Sequence, residues 1–196
     1  MDLVPRMVKA DKRYSSYKGN VGKVAKNILD RNFDVKEPDK VWASDITEFK
    51  TDEGKVYLSP IKDFCTGEII NYRYSITPNM DLVMNMLRPA IAAHPCIEGL
   101  VFHTDQGWHY QHPSFVNCLK ANDIKQSMSR KGNCIDNSKM ETFFGHMKKE
   151  MYYGRKFATR QELYDAIDQY IKFYNERRYQ EKLNGLPPVE FRKQVS

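Results

Sequence analysis

The hydrophobic texture of the chain changes at Val41. Val41–Phe49, Val56–Phe64 and Glu68–Ile76 are rich in β-branched and aromatic residues, and each predicts a strand. Short turns, one of them Thr66-Gly67, join them, as in an antiparallel meander. Met80–Ala93 has Leu82, Val83, Met86, Leu87, Ala90 and Ile91 at helical spacing, with Asn79 as a candidate N-cap. Leu100–Thr104 predicts a short strand, Pro113–Ala121 a helix and Ile124–Met128 another strand. Ser129–Asn137 is a polar loop, and a helix is predicted from Ser138. The last long helix spans Arg160–Arg178, with Thr159 and Glu162 forming a capping box. Asn184-Gly185-Leu186-Pro187-Pro188 breaks it, and a final turn of helix follows. Before Val41 the pattern is weak, apart from a short helix predicted around Val24, Ile28 and Leu29. Three antiparallel strands, then strands alternating with helices, predict an α/β fold with a mixed sheet and helices packed on it.

The 196 residues suit one main domain. No apolar run is long enough to span a membrane, and the N-terminus lacks the pattern of a secretory signal. Four cysteines with no C-x-x-C spacing argue against a zinc ribbon or a disulfide framework and predict a reducing, cytoplasmic setting. The net charge of +6 is unevenly spread. Residues 1–31 hold 8 Lys/Arg against 3 Asp/Glu, residues 32–145 hold 12 against 15, and residues 146–196 hold 11 against 7. Basic ends around an acidic centre suit either a gripped polyanion or solvated surface lysines. The texture and charge together predict a basic arm or linker over 1–40, a core domain over 41–155 and a helical extension over 156–196.

Three carboxylates are candidates for holding a cation. Asp45 lies mid-strand on a face shared with Val41, Ala43, Thr47 and Phe49, where an ionised group needs compensation. Asp105 follows the Leu100–Thr104 strand, and sites in α/β sheets open at such tips. Glu141 falls in the first turn of the helix that begins near Ser138. Convergence would raise their proton affinities unless a hard divalent ion, Mg²⁺ or Mn²⁺, compensated them. Taken singly, each has a plainer reading: a solvent-facing strand residue, a turn residue before Gly107, and the acidic member of a capping box with Ser138.

The spacing and the flanking words point further. Asp45 and Asp105 have 59 residues between them, and Asp105 and Glu141 have 35. This arrangement resembles the Asp-Asp-Glu triad of transposases and retroviral integrases. Trp42-Ala43-Ser44-Asp45-Ile46-Thr47-Glu48-Phe49, His103-Thr104-Asp105-Gln106-Gly107-Trp108-His109-Tyr110, and the stretch from Ser127 through Glu141-Thr142-Phe143-Phe144 resemble the three acid-bearing segments of bacterial insertion-sequence transposases. Tyr174-Asn175-Glu176-Arg177-Arg178 and Leu186-Pro187-Pro188-Val189-Glu190 resemble their C-terminal ending. Over about residues 12–193 the chain is similar to the second-frame, OrfB-type transposases of the insertion-sequence family numbered three.

The resemblance implies a ribonuclease-H-like fold with a mixed five-stranded sheet, helices on both faces and two divalent ions at Asp45, Asp105 and Glu141. It implies cleavage of element ends and transfer of the 3′-OH into target DNA. It also implies at least a dimer and a helix-turn-helix partner from an upstream frame, in a nucleoid-associated bacterial protein. Members carry a helical DNA-binding region ahead of Tyr14–Lys18, so this chain is expected to be a catalytic-core portion. The alternatives are a non-catalytic, DNA-binding or inhibitory fragment and a related ribonuclease-H-like nuclease.

Candidate DNA contacts surround the acids. Lys148 is seven residues beyond Glu141 and returns to the same helix face, suited to a phosphate. Arg130, Lys131 and Asn133 lie in the polar loop and are candidates to clamp phosphate. Trp108 and Tyr110 are candidates to stack on an unpaired base, or else to pack beside the site. His103, His109 and His112 near Asp105 are weaker candidates as metal ligands.

Overall fold

The computed structural model describes residues 24–30, 32–130 and 137–196. Its strands are β1 (Val41–Ser44), β2 (Thr47–Thr51), β3 (Gly54–Asp63), β4 (Ile69–Ser75), β5 (Val101–Thr104) and β6 (Lys125–Met128). Its α-helices are α1 (Met80–Ala93), α2 (Trp108–Gln111), α3 (Pro113–Ala121), α4 (Ser138–Met147), α5 (Arg160–Glu176) and α6 (Pro188–Val195). Most of the 1–40 arm lies outside the described residues, and Val24–Leu29 is irregular rather than helical. Lys26–Ile28 instead runs beside β6, where Ile28 N–H donates to Ser127 Oγ at 2.9 Å.

The strand expected over Val41–Phe49 is broken at Asp45-Ile46, so six named strands replace the expected five. Both halves nonetheless pair with β3 in one unbroken antiparallel register, Ser44 with Ile61 and Thr47 with Leu58. The break lies opposite Pro60 and Ser59. Pro60 has no N–H to give a ladder, and the Ile46 N–H turns to the Asp45 carboxylate at 2.8 Å. With β1 and β2 taken as two halves of one strand, the spatial order is β4, β3, β1/β2, β5, β6. The β1–β5 and β5–β6 pairs are parallel, and the others are antiparallel.

Side chains alternate between two cores, as the pleat requires. Val41, Ala43 and Phe49 face α4 and α5, meeting Met140, Phe143, Met147, Leu163, Ile167 and Tyr174. Trp42, Ile61 and Phe102 face the other way, toward Val83, Met86 and Leu87 of α1 and Phe115 and Leu119 of α3. The C-terminal segment therefore shares a core with the sheet. Asn79 caps α1 by accepting from Leu82 N–H, and both hydrogen bonds of the Thr159–Glu162 capping box start α5. Among the described residues, the short elements not legible in the sequence include α2, a 3-10 turn over Glu181–Leu183, and a π-helical turn over Lys148–Tyr152 that continues α4.

Candidate active site

The parallel register builds the site. Val41, Trp42 and Ala43 pair with Val101, Phe102 and His103. The same offset brings Asp45 level with Asp105, each just past its strand's C-terminal end. The two carboxylates share the sheet face covered by α4, on adjacent strands spaced about 4.8 Å apart. Burial, then the Asp105 charge, pushes the Asp45 carboxyl far above the ordinary carboxylate range. Glu141 raises it further, while the Ile46 N–H and Lys148 pull it down. Asp105 is likewise raised by burial and restrained by the Gly107 N–H and His109.

The turn after β5 is shaped around its carboxylate. Gly107 N–H donates to Asp105 Oδ1 at 2.9 Å, and a Cβ on Gly107 would sit 2.9 Å from that oxygen. Only glycine permits this approach. Gln106 Nε2 donates to the Ser129 carbonyl at 3.0 Å, and Gln111 Nε2 donates to the Gln106 carbonyl at 2.6 Å. These glutamines tie the Asp105 turn to the segment after β6, a role with no sequence signal that sets them apart from ordinary loop residues.

Glu141 is in the first turn of α4 and exposed. Asn137, not Ser138, is the N-cap, and it makes no capping hydrogen bond through its side chain, so the plainer capping-box reading of Glu141 does not hold. Among the described residues no three His, Cys, Asp or Glu side chains are gathered closely enough to hold a metal ion. The structure thus brings Asp45 and Asp105 together, with Glu141 facing them from α4 at longer range. Two half-buried carboxylates, with the Asp105 charge raising the proton affinity of Asp45, form an all-oxygen donor set, and this fits a hard divalent cation.

Lys148 continues the Glu141 face of α4. Its ammonium lies 5.3 Å from the Phe49 ring centroid, and its charge reaches Asp45. Its charge acts on Asp45 although it lies seven residues beyond Glu141, in the π-helical turn over Lys148–Tyr152. Tyr152, in the π-helical turn, closes against β2 by donating its hydroxyl to the Lys50 carbonyl and accepting from the Lys50 N–H.

The remaining candidates are placed differently. Tyr110 is 1% exposed, with its ring on Phe115 and its hydroxyl 3.2 Å from Ser44 Oγ. It forms the floor beneath the acids and presents no face to a base, because the aromatic fills the core under the Gly107 turn. Trp108 is half-buried against His109, with ring centroids 3.9 Å apart. Arg130 is exposed and pairs with Asp30 at 3.3 Å. Lys131 and Asn133 lie outside the described residues. His103 Nδ1 bonds Ser127 Oγ at 2.9 Å, His109 bonds the Pro78 carbonyl, and His112 accepts from Ser114 N–H. All three imidazoles serve local structure.

A mixed sheet in this order, with acids at the tips of neighbouring parallel strands, defines a ribonuclease-H-like polynucleotidyl transferase core. Residues 35–134 and 141–195 each match the integrase core domain family. The chain is 49% identical over 184 residues to an uncharacterized transposase-like protein of Haemophilus influenzae, covering 93% of this chain and 84% of that protein. It is 47% identical to the putative transposase InsK for insertion sequence element IS150 of Escherichia coli, covering 94% of this chain and 65% of the relative. The HTLV-2 integrase catalytic core domain in complex with magnesium shares the fold, with a TM-score of 0.61 at 17% identity over 80% of this chain and 97% of that one. The chain belongs to the integrase core domain family, among the transposases of bacterial insertion sequences. Among the described residues no helix is long and apolar enough to cross a membrane.

Proposed function

We propose that this chain is the catalytic core of a DNA transposase that cleaves element ends and transfers the 3′-OH into target DNA. The observation that carries this reading is the in-register placement of Asp45 and Asp105 at adjacent strand tips, within the field of Glu141. Asp45, Asp105 and Glu141 would hold Mg²⁺ or Mn²⁺, two ions in all. When bound, such ions stabilise the attacking and leaving oxygens of an in-line phosphoryl transfer. Asp45 and Asp105 give up the protons that burial otherwise retains, and their backbone ties fix the carboxylates in place. Lys148 binds a phosphate beside the scissile one. Arg130, Lys131, Asn133 and Trp108 belong to the DNA path around the site. The core is assigned to 41–155, with 1–40 as a basic arm and 156–196 as a helical extension that completes the core on the α4 face of the sheet.

The proposed assembly is at least a dimer on DNA, and a helix-turn-helix partner supplies recognition of the element ends. The cellular setting follows as cytoplasmic and nucleoid-associated. Strand transfer of a pre-cut element end, measured beside Mn²⁺ titration calorimetry, tests the reading. Both are expected in the unaltered protein and lost in Asp105→Asn. Mn²⁺ binding without strand transfer would favour the inhibitory-fragment reading, and cutting of RNA–DNA hybrids alone would favour the nuclease.

Lys148→Ala is expected to weaken strand transfer by about 1–3 kcal/mol, the scale of one charge-assisted hydrogen bond. Mn²⁺ affinity is expected to hold, because no carboxylate is lost and a nearby positive charge is removed. Weakened Mn²⁺ binding in the same titration would show that Lys148 orders the acids instead.

A further inference from the structure

On the side of α4 turned away from the acids, one lysine has no ion-pair partner among the described residues. Lys62 lies in β3, level with Ala43, and is 7% exposed. Its ammonium sits 5.6 Å from the Phe143 ring centroid and 5.5 Å from that of Tyr174. Among the described residues it meets no carboxylate within ion-pairing distance and no hydrogen-bond acceptor. Aromatic faces offset only part of the desolvation of a buried cation.

Other cations crowd the same place. The charges of Lys62 and Lys182 act on Lys139, and those of Arg178 and Lys62 act on His146. The acids nearby are engaged elsewhere. Asp63 accepts from Thr66 and from the Asp39 N–H, and Glu150 is clamped by Arg178. Lys139 gives its protons to the Phe33 and Phe64 carbonyls. Beside it, Gln180 Nε2 is buried without an acceptor among the described residues. Gln180 Oε1 and Lys62 Cε each lie 3.9 Å from the point where a Cβ on Gly67 would stand. The unsatisfied Gln180 amide and the Lys62 stem, with Leu183 Cδ1 at 3.7 Å, therefore border one spot, which glycine leaves open.

We infer that the cleft bounded by Lys62, Gly67, Tyr174, Gln180 and Lys182 is an oxyanion site that takes a backbone phosphate of DNA. The choice of DNA rests on the function proposed above. Lys62 is one strand over and one pleat repeat, about 7 Å, from the Asp45 row. The helix between them carries Glu141 and Lys148 toward the acids and Lys139 and His146 away from them. A nucleic-acid strand crossing α4 thus meets both sets, and the excess of Lys/Arg over residues 146–196, 11 against 7 acids, favours a polyanion.

Two measurements on the full chain without metal test this. Inorganic phosphate is expected to raise the melting temperature above that in chloride of equal ionic strength, and Lys62→Met and Gln180→Leu should abolish the increment. Duplex DNA affinity plotted against salt on logarithmic axes should lose about 0.9 of slope in Lys62→Met and in Lys182→Gln, one phosphate contact each. If Lys62→Met fails to fold, Lys182→Gln decides the matter, because its side chain is exposed. An undiminished phosphate increment in the variants overturns the site. A lost increment with an unchanged DNA slope overturns the DNA assignment. A change in oligomeric mass in that case would point to an acidic segment of a second copy. If the unaltered protein binds no DNA at all, the proposed function fails, while the phosphate increment still judges the cleft.

Discussion

Asp45→Asn is expected to abolish strand transfer and, in the absence of metal, to make the protein more stable at neutral pH. The two effects have one cause. Asp45 is held on a covered sheet face beside Asp105, where burial and that neighbouring charge oppose ionisation. A folded-state proton affinity above the unfolded one leaves stability intact below the ordinary carboxylate value of 3.8 and erodes it as pH rises beyond that value. The amide removes the ionisation and the repulsion. The expected gain at neutral pH is on the order of 1–3 kcal/mol, since each unit of pKa elevation is worth about 1.4 kcal/mol. The expected loss in strand transfer is about a thousandfold or more, because metal-assisted phosphoryl transfer draws several kcal/mol from the ligand set. Thermal melts of both proteins from pH 4 to pH 8 should diverge as pH rises. Parallel curves, or a less stable variant, would make Asp45 a structural residue.

Arg192→Ala is expected to destabilise the fold by about 2–4 kcal/mol without touching the acids. Arg192 of α6 reaches under the sheet to Asp39 at 2.9 Å and to Glu68, with Asp63 at 3.9 Å. Asp39 also accepts from Trp42 Nε1 at 2.9 Å and faces His94 at 3.3 Å. Removing one member of a half-buried network leaves the others desolvated and unpaired, which costs more than the pair contributes. Although burial opposes it, hydrogen bonds from His94 and Arg192 hold the Asp39 carboxyl well below the usual range. Its contribution is therefore present above the ordinary carboxylate value and lost as pH falls through the depressed one. Urea melts at pH 7 and pH 3 check both points. The difference between variant and parent should shrink at the acidic pH, and an equal difference at both would locate the effect in lost packing.

Much of the framework was legible because its signals are local. The period of Met80–Ala93, the Asn79 cap and the Thr159–Glu162 box concern residues within a few positions of one another, and they fixed α1 and the start of α5. The spacing of Asp45, Asp105 and Glu141 was equally open to reading, as was the shared helix face of Glu141 and Lys148. The features that escaped depend on partners distant in the chain. The break at Asp45-Ile46 is set by Pro60 on the neighbouring strand. Tyr110 looked available to a base because nothing nearby in sequence announces Ser44 and Phe115 as its neighbours. Lys62, which has no ion-pair partner among the described residues, reads as one more surface lysine until β3, α4 and α5 set it beside Phe143 and Tyr174.

The sequence by itself determined the elements, the acids and their order. Only the tertiary structure decided which of them meet. A parallel register carries no mark in either strand alone, yet the offset that pairs Ala43 with His103 sets Asp45 beside Asp105. Two carboxylates with 59 residues between them become one site because hydrogen bonding fixes neighbouring strands to within a residue, and a slip of one would turn either acid to the opposite face.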